Sequence, residues 1–114
     1  MTTTGIKTVL YSVKDIERAK ALYGKLAGAP PTTDAPYYVG YDIAGQQVGL
    51  VPDGQGQGPR GPVGYWHVDD IKATIASLRG SGAELREDAH DVGAGRLVAT
   101  LADPDGNVIG LIQG

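Results

Sequence analysis

The chain repeats itself, and that repeat limits its possible folds more than any other feature. Val13-Lys14-Asp15-Ile16 returns as Val68-Asp69-Asp70-Ile71, at an offset of 55 that also aligns Ala21 with Ala76. The segment from Gly45 to Val51 returns from Gly106 to Ile112, with the same Gly-Leu pair at 49–50 and 110–111. A repeat of this length means one supersecondary unit used twice. The modules run over about residues 5–51 and 62–113, and a Gly/Pro-rich linker at 52–61 joins them. The full 114 residues suit a single domain.

Local patterning fills in each module. Ile6 to Val13 alternates as a strand, with Thr8, Leu10 and Ser12 on one face and Val9, Tyr11 and Val13 on the other. Asp15 reads as a helix N-cap, because its short carboxylate reaches the orphan amides of the next turn. Ile16, Ala19, Leu22, Tyr23 and Leu26 follow at helical spacing, and Gly28 with Pro30-Pro31 ends the helix. Tyr37–Ile43 and Gln46–Val51 read as strands joined at Ala44-Gly45. In the second module Val63–Val68 is a strand, Asp70 a cap, and Ile71–Leu78 a helix stopped by Gly80 and Gly82. Ala83–Arg86, Arg96–Ala102 and Asn107–Ile112 are strands, the last two joined by the Asp103-Pro104-Asp105-Gly106 turn.

Composition excludes several classes. Without cysteine there is no disulfide framework, thiolate zinc site or cysteine nucleophile. The net charge is −3 and the basic residues are scattered, which argues against a nucleic-acid partner. The first residues carry neither a basic nor an apolar run, and no apolar stretch approaches the ~18 residues of a membrane span. A cytoplasmic protein without membrane contact is expected. Phe is absent, while six Tyr and one Trp are present. That usage suits a pocket needing ring faces with polar tips, or tyrosine replacing phenylalanine in a half-exposed core.

Two motifs fail their context. Gly56 to Gly61 satisfies G-x-G-x-x-G, but Pro62 and a strand follow where a phosphate-binding helix is required, so it reads as linker. His67, Asp69 and His90 form an H-x-D…H set of the kind that holds ferrous iron. Asp69, however, sits at a strand-to-helix junction and His90 in a loop. There is no nucleophile elbow, and the carboxylates gather in turns, caps and helix faces.

The repeated unit, its V-x-D-I junctions and the closing Asp103-Pro-Asp-Gly-Asn107 segment resemble the vicinal oxygen chelate superfamily. That superfamily includes glyoxalase I, extradiol dioxygenases and bleomycin-resistance proteins. The resemblance covers nearly the whole chain. It implies an α+β fold of two β-α-β-β-β modules whose curled mixed sheet makes an open cup. In metal-dependent members, one kind of ligand lies five residues before the V of the junction and another directly before the Leu of the closing strand. Here those positions hold Thr8 and Val63, and Gly49 and Gly110. Valine and glycine carry no donor and a lone threonine hydroxyl is weak, whereas catalytic divalent sites take about three protein ligands. The resemblance thus points to a branch without metal or other cofactor, with glycines that open the cup floor.

The function expected is binding and sequestration of a hydrophobic or aromatic small molecule, as in drug-resistance proteins, by a homodimer. The binding residues expected are Thr8, Leu10, Gly49, Val63, Tyr65, His67 and Gly110. Tyr37 and Tyr41 on one strand face, or Tyr38 on the other, would add ring surface. Trp66, alternating with Tyr65 and His67, is expected in the helix-side core. One alternative is a cofactor-independent isomerase, lyase or hydrolase with His67 as general base, since imidazole titrates near neutral pH. A metal-dependent glyoxalase or dioxygenase is the other.

Overall fold

An aspartate opens each helix in the computed structural model, which describes residues 3–52 and 62–114. Asp15 accepts from the Arg18 amide at 3.1 Å before α1 (Ile16–Ala27), and Asp70 from the Ala73 amide at 3.1 Å before α2 (Ile71–Gly80). Gly28 ends α1 in the left-handed region at φ 72°, where a side chain would be strained. The strands are β1 (Thr3–Val13), β2 (Thr33–Ala35), β3 (Tyr38–Ile43), β4 (Gln46–Pro52), β5 (Val63–Val68), β6 (Glu84–Asp91), β7 (Leu97–Ala102) and β8 (Val108–Gln113). Neither helix is long and apolar enough to cross a membrane among the described residues. The Gly56–Gly61 motif and the linker after Pro52 lie outside the described residues.

The ten elements among the described residues make an α+β fold with an eight-stranded mixed sheet, whose order runs from β2 to β6. The chain divides into two compact units, Lys7–Pro62 and Met1–Ile6 with Val63–Gly114. The first has strand order β2-β3-β4-β1 and the second β5-β8-β7-β6. In each, the strand before the helix pairs in parallel with the last strand of the module, Leu10 opposite Gly49 and Tyr65 opposite Gly110. The pairs β2–β3, β3–β4, β6–β7 and β7–β8 are antiparallel. The sequence reading had no counterpart for β2, and β6 runs five residues past the Arg86 end expected for its strand.

Each helix covers one sheet face. In the first unit Ala19, Val39, Tyr41 and Leu50 form the core, packed by Tyr11, Val13, Ile16, Tyr23 and Val48. Tyr11 and Tyr23 meet with ring centroids 5.2 Å apart. The face of α1 that packs is therefore Ile16, Ala19, Tyr23 and Ala27. Leu22 and Leu26 point outward, at 65% and 82% exposure, against the expectation that they face the core. At 100° per residue they sit roughly 80–120° away from the stripe that Ile16, Tyr23 and Ala27 define. In the second unit Ile71, Ile75, Ala99, Leu101 and Leu111 form the core. The Ile71 amide donates to Gln113 Oε1 at 2.7 Å, which ties the start of α2 to the end of β8.

The opposite faces carry the glycines, and the space above them is filled. A Cβ on Gly49 would lie 2.5 Å from Leu10 Cδ2 and 2.6 Å from the Tyr38 hydroxyl oxygen. The Tyr38 ring also lies over Gly40, the cross-strand partner of Gly49. A Cβ on Gly110 would lie 2.7 Å from Tyr65 Cδ2 and 2.8 Å from the Gly64 carbonyl oxygen. The glycines therefore do not leave an open floor, as the sequence suggested. They let a neighbouring ring or leucine lie flat on the strand, which restores the packing a strand glycine forfeits.

Two outcomes follow for stability. Gly110→Ala meets a backbone oxygen as well as a buried ring, so it should destabilise the fold by about 1–3 kcal/mol in urea denaturation. Gly49→Ala meets only movable side-chain ends and should cost less. The second outcome concerns the turn before β8. Asp103 accepts from the Asp105 amide at 2.9 Å, the Asn107 amide at 2.8 Å and Asn107 Nδ2 at 2.9 Å. The bonds from Asn107 first, then those from the other turn amides, hold its carboxyl below the usual carboxylate range. A carboxyl lowered in the folded state stabilises above its unfolded pKa and ceases to as pH falls through the folded value. Asp103→Ala should thus lower the Tm at neutral pH, and thermal melts should show the gap closing in acid.

Candidate functional site

The helix-free face of the second unit gathers the chemistry. On β5 the alternation puts Val63, Tyr65 and His67 on this face, since Val68 packs on the α2 side. Gly110 pairs with Tyr65 and Ile112 with His67, and on β7 Thr100 pairs with Gly110 and Val98 with Ile112. Thr100 in turn pairs with Glu87 of β6. Tyr65, Gly110, Thr100 and Glu87 thus form one row across four adjacent strands.

Glu87 reaches that row through two irregularities. The β6–β7 register shifts between Leu85 and Glu87 and again between Glu87 and His90. Leu85 and Ala89 both pack on the helix-side core, so plain alternation would send Glu87 there too. The bulges turn it to the other side instead, a known means of re-aiming one side chain. Its charge is felt there: burial first, and then the Glu87 carboxylate, push the Tyr65 phenol above its ordinary value. Tyr65 is a protonated donor at neutral pH. Between Tyr65 and Glu87, Thr100 is only 4% exposed, and its buried hydroxyl has no hydrogen-bond partner among the described residues. An unmet buried hydroxyl costs about 1–3 kcal/mol, which a binding site recovers when a ligand meets the group. Valines, an isoleucine and Ala102 complete the face, so a few polar groups converge on an apolar floor.

The other expected residues are placed as follows. Thr8, Leu10 and Gly49 share the helix-free face of the first unit with Gln47 and Tyr38. Thr8 is buried, and its hydroxyl donates to Gln47 Oε1 at 3.3 Å. Tyr41 is on the opposite face: it is part of the α1 core, and its hydroxyl donates to the Lys20 carbonyl at 2.9 Å. It is thereby corrected from ligand surface to core. Tyr37 precedes β3 and is 73% exposed, so it does not share a strand face with Tyr41. Trp66 faces the helix side as expected, yet it is not buried, with 40% of its surface exposed. His90 lies on β6 rather than in a loop, with Nδ1 3.0 Å from the Asp88 carbonyl oxygen. Glu87 and Thr100 escaped sequence reasoning.

The residues at the family's metal positions do not fit a metal. Gly49, Gly110 and Val63 bring no donor, the space beside both glycines is filled by the chain's own side chains, and the Thr8 hydroxyl is turned to Gln47. No cluster of three or more His, Cys, Asp or Glu suited to a metal occurs among the described residues.

Solved structures share this architecture. Methylmalonyl-CoA epimerase from Mycobacterium tuberculosis is 20% identical, with a TM-score of 0.78 over 97% of this chain and 88% of that one. A glyoxalase/bleomycin resistance protein/dioxygenase superfamily member from Vibrio splendidus 12B01 is 17% identical, with a TM-score of 0.71 over 99% and 100%. The Mn(II)-bound glyoxalase from Novosphingobium aromaticivorans is 20% identical, with a TM-score of 0.71 over 97% of this chain and 39% of that one. At such identities the likeness concerns the fold. No curated protein matches the chain. The sequence model of the Glyoxalase/Bleomycin resistance protein/Dioxygenase superfamily matches residues 5–111, and the chain with its paired β-α-β-β-β modules belongs to that family.

Proposed function

We propose that this protein binds a small, largely apolar or aromatic molecule on the helix-free face of its second unit, without a metal or cofactor, and holds it unchanged. The observation that carries this reading is the buried hydroxyl of Thr100, without a hydrogen-bond partner among the described residues, in the row between Tyr65 and Glu87. A bound compound with one polar substituent on an apolar body would part the side chains that now cover Val63, Thr100 and Ile112, meet that hydroxyl and rest on the two aliphatic side chains. The Tyr65 phenol, Thr100 hydroxyl and Glu87 carboxylate offer a donor, a two-way group and an acceptor, a set suited to a phenol or a related hydroxylated ring. Sequestration in the cytoplasm, as in drug resistance, would need nothing more.

A second reading has its own support. His67, Tyr65 and Glu87 share one face, so a proton could be taken up and returned at different points of a bound substrate. In that case the protein is a cofactor-independent isomerase or lyase with His67 or Glu87 as base. We also propose a homodimer, supported by the exposed Leu22 and Leu26 on one side of α1, which a second copy could cover.

Thr100→Val removes the unmet hydroxyl and keeps the shape. The free protein should gain about 1 kcal/mol of stability in denaturant titration, while affinity for a phenol panel, followed by calorimetry, falls roughly tenfold. A variant that binds as tightly as the parent would remove the basis of the proposal. Product analysis with His67→Ala and Glu87→Gln separates the two readings: a binder returns every compound unchanged, whereas turnover abolished by either variant establishes catalysis. Elemental analysis should find less than stoichiometric Zn, Ni, Fe or Mn. Sedimentation should give twice the 11.8 kDa chain mass, and Leu26→Glu should return it to one.

A further inference from the structure

The other side of the same unit holds a second opening. Between α2 and the sheet lies a cavity of about 350 Å³. Trp66 and Val68 of β5 form one wall, Ile109 and Leu111 of β8 its floor, and Thr74 and Leu78 of α2 the facing wall. Thr3 of β1 stands at its rim. The lining is almost wholly apolar. None of these residues belongs to the row of Tyr65, Thr100 and Glu87, which points the opposite way.

We infer that this cavity is a binding site for an uncharged, hydrogen-bond-poor ring compound of about two fused rings. Its polar groups exclude other classes. The Thr74 hydroxyl already donates to the Asp70 carbonyl at 2.8 Å. The Thr3 hydroxyl already donates to the His67 carbonyl at 2.8 Å and accepts from the Gly5 amide at 3.1 Å. Neither has a hydroxyl hydrogen left to donate to a ligand's acceptor, and among the described residues no titratable side chain lines the space to balance a charge. A charged or strongly polar molecule would lose its hydration here without replacement, which costs several kcal/mol for an ion.

Size narrows the class further. A dry cavity of about 150 Å³ is enough to hold benzene, and small-molecule sites begin at about 300 Å³. This one therefore exceeds a single ring and falls at the small end of ligand sites. Trp66 supplies the aromatic wall, and a ligand stacked on it would cover indole surface that now meets water. A tryptophan left 40% exposed beside an apolar hollow is explained if the hollow is at times occupied.

The probe is naphthalene, titrated to its solubility limit against the full chain, with methyl and indole NMR shifts as the readout. Binding should move the Trp66 indole N–H and the Leu78, Ile109 and Leu111 methyls. The Thr100 and Val63 methyls on the other face should stay still. Naphthalene-1,5-disulfonate should cause no shift. Leu78→Trp, which fills the space, and Trp66→Ala, which removes a wall, should each weaken naphthalene at least tenfold. Trp66 is partly exposed, so its variant keeps the test valid if Leu78→Trp does not fold. Three outcomes overturn the inference: no shift at the solubility limit, equal affinity in both variants, or shifts at Trp66 and Leu78 that grow with protein concentration alone, which would assign the hollow to a second copy. Shifts confined to Thr100 and Val63 would also overturn it, by placing naphthalene on the other face.

Discussion

Close approach of a side chain to bare backbone, made once in each unit, is the contact on which the helix-free faces depend. Leu10 lies across Gly49 and Tyr65 across Gly110, in each case from the parallel partner strand and at the paired register position. A side chain at either glycine would lift that neighbour off the strand. Tyr65 could then no longer lie along the row toward Thr100 and Glu87. The repeat thus preserves a packing device, and only in the second unit does the device carry a phenol. In the first unit Tyr38 supplies the aromatic cover instead, and it comes from the opposite neighbour.

The same contact explains why the family's metal positions are poor in donors. A carboxylate at 49 or 110 would have to displace Leu10 and Tyr38, or Tyr65 together with the Gly64 carbonyl. At both positions the structure lays a neighbouring side chain against bare backbone, and the carboxylate of the row stands two strands away, at Glu87 beside Thr100.

Much of this was legible in the sequence. The offset repeats located the two modules, and Asp15, Asp70 and Gly28 marked helix ends because caps obey local rules that packing rarely overrides. The side on which His67 lies followed from simple alternation along β5. Three things were not legible. Strand β2 has only three residues between prolines, too few to show a period. Leu22 and Leu26 have helical spacing with Ile16 and Ala19, yet Tyr23 and Ala27 fit the sheet better, a choice made by tertiary shape. Glu87 was hidden because a bulge leaves no trace in composition and reverses the parity on which alternation relies.

The bulges on either side of Glu87 also bear on how such a protein can change over evolutionary time. Leu85 and Ala89 both pack on the α2 side although Glu87 between them pairs with Thr100 of the other face. β6 is the last strand of the order, with no further strand whose register must follow. A one-residue deletion or insertion there would exchange which side chain faces Thr100 while sparing the buried core. The edge of this sheet is therefore a place where new chemistry can be sampled by indels rather than by substitutions, at little risk to the fold.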